Sequence, residues 1–257
     1  IPLFGGRMEF EGKVVLITGG AQGIGAATAK LFTKKGASVA VADLDRKRLK
    51  KLEEDIKESG GKIKSIEVDC GKSEDIEKMI SETSKTFGGI DILVCGAIFR
   101  PTKPLMEVQE EDLEHAWRVN IKGYYLSVQK IVPEFRKRHG GKVVLISSTF
   151  GFVGAPNFSV YCACKGAIVN MARSFSFELA KENINVNAVA PGPIMTEGME
   201  ELIKEDPTIE THRTANMPLP RFGKPEEIAQ SIVFLSSESS EYIHGHNLVV
   251  DGGYLAV

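Results

Sequence analysis

Short apolar runs alternate with longer amphipathic segments along the chain. The runs are rich in Val, Ile and Leu, and they predict strands at residues 13–18, 37–43, 62–69, 90–95, 142–147, 185–190 and 248–250. The segments between them predict helices at residues 23–35, 45–58, 74–87, 110–138, 159–182 and 225–235. Because the strands are continuously apolar, both faces of the sheet must be covered. The alternation therefore predicts an α/β fold with a doubly wound parallel sheet of about seven strands.

The predicted organisation is a single domain from residue 8 to residue 257. No Pro/Ser-rich linker or abrupt change of composition divides the 257 residues, of which 42% are hydrophobic and 26% charged. Those proportions are ordinary for a soluble globular protein. Residues 1–7 precede Met8, which resembles a natural start, and we expect them to be a non-native or disordered leader.

Charge and composition argue against several classes of partner. The formal net charge of -2 provides no electrostatic footprint for nucleic acid. No stretch approaches the ~18 apolar residues that a membrane span requires. Four cysteines are too sparse for a secreted disulfide framework, so we expect free thiols and a cytoplasmic protein. His244 and His246 have no carboxylate or thiol nearby, and no metal site is predicted.

The first predicted strand leads through a glycine-rich turn, Thr18-Gly-Gly-Ala-Gln-Gly-Ile-Gly25, directly into a helix. Its glycines permit tight turning, close approach of the backbone to a pyrophosphate, and close packing of helix on strand. The helix N-terminus offers unpaired N–H groups and the positive end of a dipole. A tight turn without a ligand would also use glycines, and the spacing differs from the commoner G-x-G-x-x-G fingerprint. The turn alone is therefore weak evidence for a Rossmann-like nucleotide site.

Asp43 strengthens that interpretation. It ends the second predicted strand, 18 residues beyond Gly25, where a carboxylate meets the ribose hydroxyls of an adenosine. A 2′-phosphate beside it would experience a repulsion on the order of several kcal/mol as an upper bound. Asp43 therefore favours NAD over NADP. The alternative is that Asp43 merely caps the helix that follows.

Tyr161 and Lys165 stand four positions apart at the start of a predicted helix, so they share one face. A tyrosine has an ordinary pKa of about 10, and a neighbouring ammonium or an oxidised nicotinamide would favour its phenolate. Read alone, such a pair is better explained as part of an amphipathic surface. Ser148 changes the balance, because it follows the fifth strand at the C-terminal edge, where open α/β sheets bind ligands.

Together these motifs resemble the short-chain dehydrogenase/reductase family. The shared features, in the family's order and spacing, are Thr18-Gly-x-x-x-Gly-x-Gly25, Asn120, Ser148, Tyr161-x-x-x-Lys165 and Pro191-Gly192. The resemblance implies that Tyr161 is the general acid/base and that Lys165 lowers its pKa and holds the nicotinamide ribose. It also implies that Ser148 orients the substrate and that Asn120 positions a proton-relay water.

The resemblance further implies a set of cofactor contacts. Asp69 is expected to contact the adenine amino group, and Ile194 and Thr196 to bind the nicotinamide carboxamide. The chain departs from the family at Cys95-Gly96, where two asparagines are usual. The complete expected NAD-binding set is Gly19, Gln22, Gly23, Ile24, Gly25, Asp43, Asp69, Cys70, Ala97, Tyr161, Lys165, Pro191, Gly192, Ile194 and Thr196.

The substrate is expected to bind beside the catalytic residues under a lid formed by residues 195–220. This segment is long and polar for a loop, and the family places a closing segment here. The expected substrate contacts are Ser148, Phe150, Phe158 and Tyr161. Phe152 and Val153 are explained equally well as part of an apolar substrate pocket and as core residues. Trp117 is better explained by packing of its helix than by contact with the substrate.

Three functional classes follow from these features. The favoured class is an NAD-dependent oxidoreductase that interconverts a secondary alcohol and a ketone by hydride transfer. The second is a 3-oxoacyl thioester reductase of fatty-acid synthesis, which usually uses NADPH, so Asp43 counts against it. The third is a non-catalytic NAD-sensing scaffold on the same fold, which would not need a tuned phenol. The resemblance also implies a homotetramer joined by the helices at residues 110–138 and 159–182.

Overall fold

The computed structural model describes residues 8–256, so the expected leader at residues 1–7 lies outside the described part of the chain. The strands are β1 (Val14–Thr18), β2 (Ser38–Asp43), β3 (Lys62–Glu67), β4 (Ile92–Cys95), β5 (Gly141–Ile146), β6 (Ile184–Pro191) and β7 (Asn247–Val250). They form one sheet in the order β3-β2-β1-β4-β5-β6-β7, and every neighbouring pair is parallel. The predicted parallel sheet is confirmed.

Helices cover both faces of the sheet. Their bounds are α1 (Gly23–Lys34), α2 (Arg46–Glu58), α3 (Ser73–Phe87), α4 (Glu110–Ala116), α5 (Gly123–Lys137), α6 (Ser159–Leu179), α7 (Glu197–Glu205), α8 (Thr208–Thr214) and α9 (Pro225–Leu235). Leu16 faces a core layer built with α3, α5 and α6. Its neighbours Val15 and Ile17 face a second layer built with α1, α2 and α9. The doubly wound arrangement therefore follows from strands that are apolar on both faces.

The segment at residues 110–138 is less regular than the single helix predicted for it. A π-helical stretch, Trp117–Lys122, separates α4 from α5. Such stretches are rare and frequently mark functional positions. Asn120 lies inside this one and is buried.

The segment at residues 195–220 differs from the loop that its polarity suggested, because it contains the helices α7 and α8. Helix α7 has one buried residue, Met199, among several charged residues. The sequence of α7 therefore shows no clear helical hydrophobic pattern. Trp117, Phe152 and Val153 are 63%, 42% and 40% exposed, so the core or packing interpretations of these residues are wrong for the single chain.

The carboxyl ends of the strands converge on one edge of the sheet. Thr18, the last residue of β1, pairs with Ala42 of β2 and with Cys95 of β4. The chain reverses its direction of strand addition between β1 and β4, since β2 and β3 lie on one side and β5 to β7 on the other. In open α/β sheets a crevice forms at such a switch point and binds ligands.

Candidate active site

A cavity of about 570 Å³ opens at this edge of the sheet. It brings together most of the residues that the sequence singled out. Asp43, Asp69, Cys70, Ala97 and Asn120 are not part of its wall. The predicted residues that line it are Gly19, Gln22, Gly23, Ile24, Gly25, Ser148, Phe150, Phe158, Tyr161, Lys165, Pro191, Gly192, Ile194 and Thr196.

The glycine turn forms one end of the cavity. Gly19 has a φ of +65°, and a Cβ there would lie 2.6 Å from the Ala97 backbone nitrogen, so only glycine fits. Gln22, the N-cap of α1, makes no side-chain capping bond. The Gly23 N–H instead donates to Oε2 of Glu197 at 2.9 Å. The helix N-terminus thus already binds an anionic group, as its dipole favours.

Asp43 lies beside this turn and supports it. Its Oδ2 accepts a hydrogen bond from the Ala21 N–H at 3.1 Å, and its Oδ1 accepts one from the Asp45 N–H at 3.0 Å. The N-cap of α2 is Asp45, whose side chain accepts from the Arg48 N–H. The alternative that Asp43 caps the helix is therefore wrong. Its carboxylate is half-buried at the end of β2, next to the turn.

Asp69 and Cys70, which are expected to lie near the adenosine, follow β3. The Asp69 carboxylate binds the Arg118 guanidinium at 2.6 Å and the Gly71 N–H at 2.8 Å. Burial opposes the charged form, but these bonds lower the pKa of Asp69 below its usual value. Burial raises the pKa of the Cys70 thiol to about 12, so this side chain is inert at neutral pH.

At Cys95-Gly96, where the family usually has two asparagines, the side chain of Thr18 binds the backbone. The Thr18 hydroxyl accepts hydrogen bonds from the Gly96 N–H at 3.1 Å and from the Ala97 N–H at 3.4 Å. A Cβ at position 96 would lie 2.9 Å from both Ile146 Cδ1 and the Thr18 carbonyl oxygen. A threonine hydroxyl therefore anchors this segment, and the spacing leaves room only for glycine.

Tyr161, Lys165 and Ser148 meet where β5 ends. The Lys165 ammonium is buried and donates to the carbonyl oxygen of Ile146, the last residue of β5, at 2.6 Å. Tyr124 donates to the same oxygen at 3.3 Å. Lys165 Nζ lies 5.5 Å from the centre of the Tyr161 ring. Helix α6 thus places the phenol and the amine on one face, against the end of β5, which Ser148 follows, as their spacing predicted.

The acidities of these groups depend strongly on burial. Burial raises the pKa of Tyr161, while a hydrogen bond from Ser148 and the charge of Arg100 oppose that rise. Burial lowers the pKa of Lys165 to about 7, with Arg100 adding to the effect. The identified groups that favour the phenolate are thus Ser148 and Arg100. The expected contribution of Lys165 to the acidity of Tyr161 stays a prediction.

Asn120 is connected to the site through the segment after β4. Its Oδ1 accepts from the Phe99 N–H at 2.8 Å, and its Nδ2 donates to the Phe99 carbonyl at 2.7 Å. The Phe99 ring also stacks on His115, with centroids 3.9 Å apart. Asn120 therefore fixes the backbone that leads from β4 to the far end of the cavity.

The residues that are expected to bind the nicotinamide follow β6. Ile194 is buried and forms an isolated parallel bridge with Gly223. Thr196 is the N-cap residue of α7 and stands close to Gly23. Gly192 packs against Asp251, where a Cβ would lie 2.7 Å from the Asp251 Cα. The segment after β6 thus connects the glycine turn to α7.

Aromatic rings and two arginines form the other end of the cavity. The Phe150 ring lies 5.3 Å from Phe158 and 6.2 Å from Tyr161, and Tyr254 packs on it at 6.3 Å. Arg100 and Arg213 approach the Phe158 ring. Both expected aromatic contacts, Phe150 and Phe158, therefore lie beside Tyr161.

Comparison with known proteins agrees with this geometry. A family model described as enoyl-(acyl carrier protein) reductase matches residues 19–255. The chain is 38% identical over 249 residues to 3-oxoacyl-(acyl-carrier-protein) reductase FabG of Thermotoga maritima, covering 96% of this chain and 99% of that protein. It is 36% identical over 251 residues to NAD-dependent glycerol dehydrogenase of Listeria innocua, covering 94% and 93%.

Among solved structures, levodione reductase superimposes with a TM-score of 0.91 at 28% identity, covering 96% of this chain and 99% of that one. The chain belongs to the short-chain dehydrogenase/reductase family of oxidoreductases. These enzymes use a nicotinamide cofactor, and the seven-stranded sheet with its cleft is consistent with that chemistry.

Several residues of the site escaped the sequence analysis. Glu197 and Arg213 lie in the segment that was expected to be a polar loop, and Arg100 follows β4 outside any of the motifs. For Glu197 and Arg213 the signal was charge in the segment that follows the motif Pro191-Gly192, but nothing in the sequence shows which charged side chains turn towards the cavity.

The described residues also bear on metal binding and on membrane spans. Within residues 8–256, no group of three or more His, Cys, Asp or Glu side chains could hold a metal ion. Among the same residues, no helix is long and apolar enough to cross a membrane.

Proposed function

We propose that the protein is an NAD-dependent oxidoreductase that interconverts a secondary alcohol and a ketone, with Tyr161 as the general acid/base. The observation that supports this most strongly is the meeting of Tyr161, Ser148 and Lys165 at the end of β5 in one cavity. A binding-only protein has no use for a phenol placed against a hydroxyl and a buried amine. The scaffold alternative is therefore the weaker one.

The residues present fit a dinucleotide. Gly19 allows the backbone at positions 96 and 97 to lie against the turn, and the first turn of α1 offers N–H groups for phosphate. Asp43 is half-buried at the end of β2, where ribose hydroxyls can donate to its carboxylate. Bound NAD accepts or supplies the hydride. We propose NAD rather than NADP because a 2′-phosphate would meet the Asp43 carboxylate.

The chain's own residues would manage the proton and the orientation of the substrate. In alcohol oxidation the Tyr161 phenolate takes the hydroxyl proton, and in ketone reduction the phenol returns it. The Ser148 hydroxyl bonds the same substrate oxygen and favours the phenolate. Lys165, which donates to the Ile146 carbonyl, would bind the nicotinamide ribose. Asn120 positions the segment at Phe99 and, in this proposal, the water of a proton relay.

A second candidate is reduction of a 3-oxoacyl thioester. Its support is the 38% identity to the Thermotoga maritima enzyme, which has that activity in its name. Asp43 favours NAD and so counts against a reaction that usually consumes NADPH. Measuring NADH and NADPH oxidation with acetoacetyl-CoA, beside NAD reduction with secondary alcohols, separates the two candidates.

The test of the proposal is Tyr161→Phe. We expect kcat for alcohol oxidation to fall at least about 100-fold, because a general acid/base contributes that much or more. The Kd for NAD, measured by calorimetry, should change less than about twofold, since the ring remains. Tyr242→Phe is the matched control, because this tyrosine is fully exposed. Unchanged turnover in Tyr161→Phe would overturn the proposal.

Assembly and location complete the proposal. We propose a homotetramer, supported by large exposed apolar side chains along the α4–α6 region: Leu113, Trp117, Tyr125 and Phe177. They lie on the helical segments that the proposed interface would use, and exposed apolar surface of this kind marks interaction sites where it is contiguous. Light scattering after size-exclusion chromatography measures the oligomeric state and tests this proposal directly.

We also propose a cytoplasmic location. The free thiols of Cys70, Cys95, Cys162 and Cys164 support a reducing compartment.

A further inference from the structure

The substrate end of the cavity is cationic, although the chain carries a formal net charge of -2. Among the described residues that line the cavity, the basic side chains are Arg100, Lys165, His212 and Arg213, and neither Asp nor Glu is present. The His212 imidazole is exposed to solvent. Lys165 already donates to the Ile146 carbonyl. Arg100 and Arg213 are the two cations that face the open volume.

The two guanidiniums converge on one aromatic ring. Arg100 Cζ lies 6.0 Å from the centre of the Phe158 ring, and Arg213 Cζ lies 5.6 Å from it. The Phe158 ring itself stands 6.3 Å from the Tyr161 ring. Both charges also interact with the reacting phenol: Arg100 lowers the pKa of Tyr161, and Tyr161 opposes the fall in the pKa of Arg213 that burial causes.

The backbone on both sides of the ring is held in place. Phe99, next to Arg100, makes two hydrogen bonds to Asn120. The Lys103 N–H donates to the carbonyl of Asn157, the residue before Phe158, at 3.0 Å. Arg213 is half-buried on α8, and the Thr214 hydroxyl after it bonds within the same helix. The two arginines thus reach the Phe158 ring from two separate segments of the chain, the one after β4 and helix α8.

Neither arginine has a carboxylate partner in the part of the chain that the structure describes. Other arginines do: Arg118 pairs with Asp69, Arg136 with Glu182, and Arg221 with Glu227. Burial lowers the pKa of Arg213, and the nearby charge of Arg100 lowers it further. Two unpaired like charges in a shared pocket repel each other, and an anion between them would relieve that repulsion.

We propose that Arg100 and Arg213 bind an anionic group of the substrate, a carboxylate or a phosphate, at the end of the cavity beside Tyr161. This inference rests on the proposed function and narrows its substrate to secondary alcohols that carry a negative charge. Guanidiniums bind planar oxyanions with two parallel N–H···O bonds. The cofactor's own phosphates belong at the α1 N-terminus, the opposite end of the cavity.

The experiment compares related alcohols of which one member carries an anionic group and the other is neutral. The pairs are 3-hydroxybutanoate against its methyl ester, and glycerol 1-phosphate against glycerol, each assayed by NADH formation. We expect kcat/KM to favour the charged member of at least one pair by about 10-fold or more, the effect of hydrogen bonds to a charged group. The pair that responds identifies the oxyanion. Equal kcat/KM values within both pairs would overturn the inference and leave the proposed function standing.

Variants place the effect on the two arginines. Arg213→Met and Arg100→Met should each remove most of the preference for the anion, and Arg213→Lys should keep part of it. The Kd for NAD should stay within about twofold of wild type in all three. Arg136→Met is the matched control, since it removes the same charge at the opposite edge of the sheet. A preference that survives in both methionine variants would contradict the inference.

Two further readouts separate this inference from its premise. Calorimetry with NADH present, under which an alcohol does not react, should show 3-hydroxybutanoate or glycerol 1-phosphate binding tighter than its neutral partner. That difference in binding tests the inference even if no tested alcohol is oxidised. The absence of oxidation would contradict the proposed function but not the proposed anion site. Arg100→Met should also move the pH profile of alcohol oxidation to higher pH, because Arg100 favours the phenolate. A merely structural role for Arg100 would leave the profile in place.

Discussion

The two ends of one cavity have opposite electrostatic character. Near the expected cofactor end, the carboxylates of Asp43 and Glu197 accept N–H groups of the glycine turn from just outside the cavity wall. At the substrate end, arginines and aromatic rings surround Tyr161. The first arrangement would discriminate by repelling an extra phosphate, and the second by attracting a charge on the substrate. In this proposal, the cavity selects its cofactor by electrostatic repulsion and its substrate by electrostatic attraction, on either side of Tyr161.

The largest effect is expected from reversing the charge at the cofactor end. Asp43→Ser combined with Leu44→Arg, at an exposed position beside it, should shift the NADP/NAD ratio of kcat/KM by about 100-fold or more, since repulsion is replaced by attraction. Asp43→Asn is the matched control, because it keeps an acceptor for the Ala21 N–H and removes only the charge. A wild-type kcat/KM that is higher with NADP than with NAD would contradict the proposal that the Asp43 end of the cavity repels a 2′-phosphate.

A second prediction concerns Lys165, buried where the two ends meet. Its folded pKa is about 7, against an ordinary value of 10.5. Between these values the unfolded chain holds a proton that the folded chain lacks, so the free energy of unfolding should rise with pH. The rise attributable to Lys165 is at most about 1.4 kcal/mol per pH unit.

Urea unfolding at pH 7, 8 and 9 measures this slope. Lys165→Met should lose the Lys165 contribution, whereas Lys50→Met, at an exposed ion pair, should keep it. Equal slopes in wild type and Lys165→Met would show that the buried amine stays protonated in the folded protein.

The smallest effect is expected at Glu197. Its carboxylate accepts the Gly23 N–H that a cofactor phosphate would need, so it must leave when a dinucleotide binds. Glu197→Gln weakens this competitor and should tighten NAD binding about fivefold, the equivalent of one net hydrogen bond. Calorimetry measures the change, with Glu200→Gln as the control in the same helix. Weaker binding in Glu197→Gln would mean that the carboxylate serves the cofactor instead.

The sheet was predictable because seven apolar runs and the helices between them depend on local patterns. The positions of Tyr161 and Lys165 followed from helical spacing, and that of Ser148 from the end of a strand. The π-helical stretch at Asn120 was not predictable, because no hydrophobic period marks it and the side chain of Asn120 bonds to a residue 21 positions away. Arg100 and Arg213 join at Phe158 from segments 113 positions apart, a proximity that no local pattern reveals.

The pH dependence of turnover tests the central claim, that Tyr161 carries the proton, most directly. Burial keeps the phenol protonated near neutrality, so kcat/KM for alcohol oxidation at saturating NAD should rise from pH 6 to pH 9, as phenolate accumulates. Ketone reduction, which needs the phenol, should stay level over the same range. Alcohol oxidation that is independent of pH over this range would contradict the account.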